Sequence, residues 1–183
     1  MAKGKGKGSG FERDIAKYLT KWVSGKEKPY MYWRSPSSGG IGGIQNPDIT
    51  GDIVALKGES EFLTDLFSIE IKCGYPSFNF FKFFKKNSKS NELLKFWEQC
   101  KDDALKGGKE PLLIYKQDRQ PTIVVIGCDT FNMLSNNVET LNYFMVQTKD
   151  EGIYVFNMKE FFDAVTPDVI KRLLGLKQAG VFV

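Results

Sequence analysis

Residues 51–74 read GDIVALKGESEFLTDLFSIEIKCG, two short apolar segments separated by a polar stretch. Asp52 to Leu56 reads as one strand and Leu66 to Cys73 as a second, with alternating character in the second. The intervening KGESEFLTD reads as a polar turn, so the two strands are expected to form a hairpin. Side chains at i and i+2 of a strand share a face. Glu70 and Lys72 are therefore expected side by side, with Ile71 turned into the core. Asp52 opens the first strand directly after Gly51, where a loop can expose it.

Upstream, Ser9 offers an N-cap and Glu12 completes a capping box ahead of Phe11, Ile15, Tyr18, Leu19 and Trp22. That spacing predicts an amphipathic helix to about Val23. Residues 1–8, with alternating lysine and glycine, are expected to be a flexible basic arm, and residues 9–183 one domain. RSPSSGGIGGIQNPDITG at 34–51 carries no period and reads as a loop.

Downstream, YPSFNFFKFFKK at 75–86 mixes phenylalanine with lysine and precedes a helix from about Asn91 to Leu105. Leu112 to Tyr115 and Thr122 to Ile126 form a strand pair around DRQP. A short helix near Phe131, strands near Tyr143 to Gln147 and Ile153 to Phe156, and helices between Lys159 and Leu174 follow. This order predicts a mixed α/β fold with helices packed on a mixed sheet.

Composition narrows the chemistry. A chain of 183 residues with 42% hydrophobic content can bury one sizeable core. Its apolar runs are far shorter than the ~20 residues of a membrane span, and no apolar stretch follows the basic N-terminus as a signal peptide requires. A cytoplasmic location is the expectation. Cys73, Cys100 and Cys128 are spaced too widely for a zinc knuckle and read as reduced thiols. With no histidine in the chain, Ser-His-Asp and Cys-His nucleophilic sites are excluded, and catalysis must rest on carboxylates, lysine and metal. The net charge of +4 is uneven: residues 1–28 and 71–101 each carry +5, leaving −6 elsewhere. Two basic blocks in an acidic remainder suit a polyanion partner.

Paired carboxylates repel each other unless a divalent cation neutralises them. Oxygen ligands with retained waters suit Mg²⁺ or Mn²⁺. Asp52, Glu70 and Lys72 thus form a candidate centre, in which Lys72 orients a water or neutralises developing charge. The plainer reading makes Glu70 and Lys72 an exposed salt pair on an edge strand and Asp52 a turn residue.

GDIVALKG followed by FSIEIKCG resembles the PD-(D/E)XK nuclease superfamily. KGSGFERDIAKYL, RSPSSGG and GDIVAL, in that order, resemble archaeal and phage Holliday junction resolvases over roughly residues 7–73, with PLLIYK at 111–116 as weaker support. The resemblance implies a restriction-endonuclease-like central mixed sheet flanked by helices, a homodimer, and Mg²⁺-dependent cleavage of DNA, with a four-way junction as substrate. It implies Asp52, Glu70 and Lys72 as the core, the carbonyl of Ile71 as a backbone ligand, and Glu12 as an aid to metal binding or water activation. Pro47-Asp48 matches the literal motif name, which makes Asp48 a competitor to Asp52. Arg13, Arg34, Ser35, Ser37 and Ser38 stand where resembling resolvases touch phosphate. Lys82, Lys85, Lys86 and Lys89 would add sequence-independent affinity, and Lys116 is a further candidate. Gln99 resembles a glutamine found beside such sites. Phe78, Phe80, Phe81, Phe83 and Phe84 read as core or dimer contacts. Two alternatives remain: another phage-type or restriction-like nuclease, and a non-catalytic DNA-binding protein on the same scaffold.

Overall fold

A computed structural model describes residues 4–36, 50–74, 92–148 and 150–180. Ser37, Ser38, Pro47, Asp48, the phenylalanines at 78–84 and Lys82, Lys85, Lys86 and Lys89 lie outside the described residues.

The elements run α1 (Gly4–Ser24), β1 (Tyr32–Arg34), β2 (Ile53–Ala55), a 3-10 turn (Gly58–Ser60), α2 (Glu61–Leu66), β3 (Phe67–Cys73), α3 (Glu92–Lys106), β4 (Glu110–Lys116), β5 (Ile123–Gly127), α4 (Cys128–Ser135), β6 (Phe144–Gln147), β7 (Gly152–Asn157), α5 (Met158–Ala164) and α6 (Pro167–Gln178). Five strands form a mixed sheet in the order β3-β4-β5-β7-β6. β3 and β4 are parallel, with α3 as their crossover, and the other pairs are antiparallel. The mixed sheet flanked by helices expected from the sequence is present, and so is the β4–β5 pair.

Alternation along the strands divides the core between the two faces. Ile69, Ile71, Leu112, Ile114, Val124, Ile126 and Phe156 bury against α1, α2, α5 and α6. Leu113, Tyr115, Val125 and Ile153 face α3, which presents Leu93, Trp97 and Cys100 at helical spacing. No helix among the described residues is long and apolar enough to cross a membrane.

Three local expectations are corrected. β2 does not form a hairpin with β3: it pairs antiparallel with β1, and only a parallel bridge, Gly51 to Ile69, joins it to β3. The reason lies in the connection, where Phe62, Leu63 and Leu66 bury in the main core as one face of α2, which a tight turn between paired strands would not allow. The stretch read as a polar turn is thus largely a helix. Finally, α1 begins at Gly4, so the backbone of 4–8 is helical and Ser9 sits inside the helix rather than at its cap. Once the packed segment from Phe11 onward has nucleated the helix, each added turn costs little.

Candidate active site

Gly51 sets the site. It adopts φ +81°, and a Cβ there would lie 2.6 Å from the Ile69 carbonyl oxygen, so only glycine lets the chain approach β3 this closely. The next residue is tied twice to β3: the Asp52 N–H donates to the Ile69 carbonyl (2.7 Å), and the Ile71 N–H donates to Asp52 Oδ2 (2.8 Å). From the other side, the Ser35 N–H donates to the Asp52 carbonyl (2.7 Å). Asp52 is consequently fixed beside the middle of β3 by its own backbone and by the bond from the Ile71 N–H to its carboxylate.

Glu70 and Lys72 project from β3 on the α3 side, as their spacing predicted, while Ile71 is buried in the opposite core. Lys72 Nζ pairs with Glu70 Oε1, and Gln99 Nε2 of α3 donates to the same oxygen (3.0 Å). Phe96, one turn before Cys100 on α3, places its ring 5.7 Å from Lys72 Nζ. Glu70 is only 4% exposed, which excludes the reading of Glu70 and Lys72 as a solvent-exposed salt pair. β3 is the edge strand of the five-stranded sheet, as that reading has it, paired with β4 on one side and met by the Gly51 bridge on the other.

Electrostatics follow from this crowding. Burial is the main cause that pushes the Asp52 carboxyl up to about 7; the charges of Glu70 and Glu12 add to it, while the Ile71 N–H and Lys72 oppose it. Glu70 is raised by burial as well, partly offset by Lys72. A buried and a half-buried acid that resist ionisation next to each other form a site short of positive charge.

Glu12 comes to this site from α1, where its Oε2 lies 2.9 Å from Arg34 Nε. This replaces its expected capping role. Arg13 is exposed on α1, and Lys116, exposed at the end of β4, holds its Nζ 5.5 Å from the Phe11 ring. Ser35, expected to touch phosphate, is buried, and its backbone instead holds Asp52. The sequence reading also missed the Arg34–Glu12 pair, which joins residues 22 positions apart and leaves no local spacing signal.

Among the described residues no cluster of three or more His, Cys, Asp or Glu side chains could hold a metal ion. A pair of carboxylates is nevertheless the donor set that suits Mg²⁺, which keeps several waters and takes one or two carboxylates. It does not suit zinc, which prefers cysteine and histidine.

A family model described as "Phage putative PDDEXK endonuclease" matches residues 3–172. No curated protein matches the sequence. Among solved structures, the chain is similar to Hjc of Archaeoglobus fulgidus, a Holliday junction resolvase from an archaeal hyperthermophile. Identity is 18%, the match covers 92% of this chain and 100% of that one, and the TM-score is 0.36.

Proposed function

The chain belongs to the family of phage putative PDDEXK endonucleases, and from that premise we propose that it hydrolyses phosphodiester bonds of DNA in a reaction that needs a divalent cation, Mg²⁺ or Mn²⁺. The observation that carries the reading is the approach of Asp52, just before β2, to the stretch of β3 that bears Glu70 and Lys72. Asp52 and Glu70 are the carboxylates that would hold the cation, with the Ile71 carbonyl as a backbone donor and Glu12 as a further carboxylate. When bound, such an ion polarises a phosphoryl oxygen and lowers the pKa of water.

The chain's own residues do the rest. Gln99 fixes the rotamer of Glu70 through Oε1. Lys72, steadied by Glu70 and by the Phe96 ring, holds an ammonium proton where it can orient the attacking water or donate to a non-bridging phosphate oxygen. Arg13 and Lys116, both exposed, supply charge for the DNA backbone.

The four-way junction is the proposed substrate, supported by the ordered motifs KGSGFERDIAKYL, RSPSSGG and GDIVAL. A homodimer would set two centres on one junction, as symmetric cuts require. The test is incubation of the protein with labelled four-way junction, duplex and single strand, with and without Mg²⁺. Junction cleavage that requires Mg²⁺ and disappears in Asp52→Asn, with junction binding kept, is the expected result. Cleavage of duplex alone would leave a restriction-like nuclease, and binding without cleavage of any substrate would leave a non-catalytic DNA-binding protein.

A further inference from the structure

We propose that Arg34 is a positioning residue for Glu12, holding that carboxylate at the rim of the Asp52–Glu70 pair, rather than a contact to DNA phosphate. The proposal rests on the nuclease reading of the site. It starts from where the backbone of Arg34 is anchored. Arg34 ends β1 and pairs in register with Ile53, the residue after Asp52, and the following N–H, that of Ser35, donates to the Asp52 carbonyl. Arg34 is thus locked to the chain that carries Asp52.

Its partner is anchored separately. α1 buries Ile15, Ala16 and Leu19 in the main core, and Thr20 Oγ1 accepts the Met31 N–H (3.2 Å) at the entry to β1. The 2.9 Å Arg34–Glu12 bond therefore spans two rigid supports. The side chains are 28% and 13% exposed, so the pair is sheltered, unlike a solvated surface pair. The bond brings Glu12 to the Asp52 side of the site, because Arg34 is the register partner of Ile53, the residue after Asp52, and the charge of Glu12 adds to the upward push on both Asp52 and Glu70. A third carboxylate beside the Asp52–Glu70 pair raises the repulsion there unless a cation compensates it. Arg34 compensates Glu12 as Lys72 compensates Glu70, and its planar fork fixes direction as well as charge. Arg13, beside Glu12 in sequence but exposed, is free of this tie and is assigned with Lys116 to phosphate.

The experiment separates the two roles by their salt dependence. Binding of a fluorescein-labelled four-way junction is measured by anisotropy across a salt series in Ca²⁺, and cleavage by single-turnover rates in Mg²⁺, for Arg34→Gln, Arg34→Lys, Glu12→Gln, Arg34→Gln/Glu12→Gln and Arg13→Gln. Each lost phosphate contact lowers the slope of log K against log salt by about 0.9. Arg34→Gln should leave that slope and the affinity unchanged while slowing cleavage by about a hundredfold, the cost of a misplaced catalytic group. The double variant should be no slower than Glu12→Gln alone. Arg34→Lys, which keeps the charge and guards against loss of fold, should retain the slope and recover part of the rate. Arg13→Gln should lower the slope. A lowered slope in either Arg34 variant, or effects of Arg34→Gln and Glu12→Gln that multiply in the double variant, would overturn the positioning role. Cleavage that survives Asp52→Asn would instead sink the nuclease site itself, whatever the Arg34 variants do.

Discussion

β3 and β4 are adjacent, parallel, seven residues long and covered by the same helix, yet they fill their shared face with opposite chemistry. Where β4 places Leu113 and Tyr115, the register partners on β3 are Glu70 and Lys72. The Phe96 ring of α3 serves both strands, 6.0 Å from the Tyr115 ring and 5.7 Å from Lys72 Nζ. The opposite face shows no such contrast, since Ile69 and Ile71 of β3 and Leu112 and Ile114 of β4 share one core. A site can thus be cut into a sheet by replacing one strand's apolar positions on one face. The neighbouring strand and the far face supply the stability that the replaced positions no longer give.

The largest expected effect comes from erasing the contrast. Glu70→Leu combined with Lys72→Met gives β3 the pattern of β4. Cleavage should fall on the order of a thousandfold or more, while thermal melting should show stability kept or raised, because a buried ion pair exchanged for apolar packing is often neutral or stabilising. A double variant that melts well below the parent would show that the pair itself holds the sheet together.

Leu113→Ala tests the other strand. Leu113 is fully buried, so the variant should lose about 2–5 kcal/mol in denaturant unfolding. Its cleavage rate per folded molecule should stay near the parent's. Gly51→Ala probes the joint between β2 and β3. The positive φ and the contact with Ile69 should cost about 1–3 kcal/mol, with a loss of cleavage larger than Leu113→Ala causes. Equal cleavage losses in the two would deny that the Gly51 approach positions Asp52.

The smallest effect is on pH. Asp52 titrates near about 7 in the folded metal-free protein, against about 3.9 in an unfolded chain. The folded state therefore binds this proton more tightly, and the stability it contributes is complete below about pH 4 and lost as pH rises through about 7. Melting temperatures in chelator should decline across that window, and Asp52→Asn should flatten the decline. An unchanged profile in Asp52→Asn would place the titration elsewhere.

The pairing of Glu70 with Lys72 and the burial of Ile71 were legible because a strand's period of two is local. Gln99 was legible only through the resemblance, since nothing in residues 92–106 distinguishes it from other polar positions of α3. The α2 helix was hidden by its shortness. Phe62, Leu63 and Leu66 are too few to establish a period among polar neighbours. The burial of Ser35 was not legible, because a small polar residue in a Gly/Ser-rich segment looks solvated, and that burial depends on β1 lying against β2.

By itself, the sequence determined the mixed α/β class and the strand that carries Glu70 and Lys72, and its lack of histidine removed the histidine-based chemistries. Only the tertiary structure decided that Asp52 reaches β3 through a parallel bridge, that α2 rather than a turn joins the strands, and that Arg34 meets Glu12. The division has a physical cause. Backbone periodicity and residue chemistry are properties of neighbours in the chain, whereas these contacts join segments whose approach is set by how the core packs.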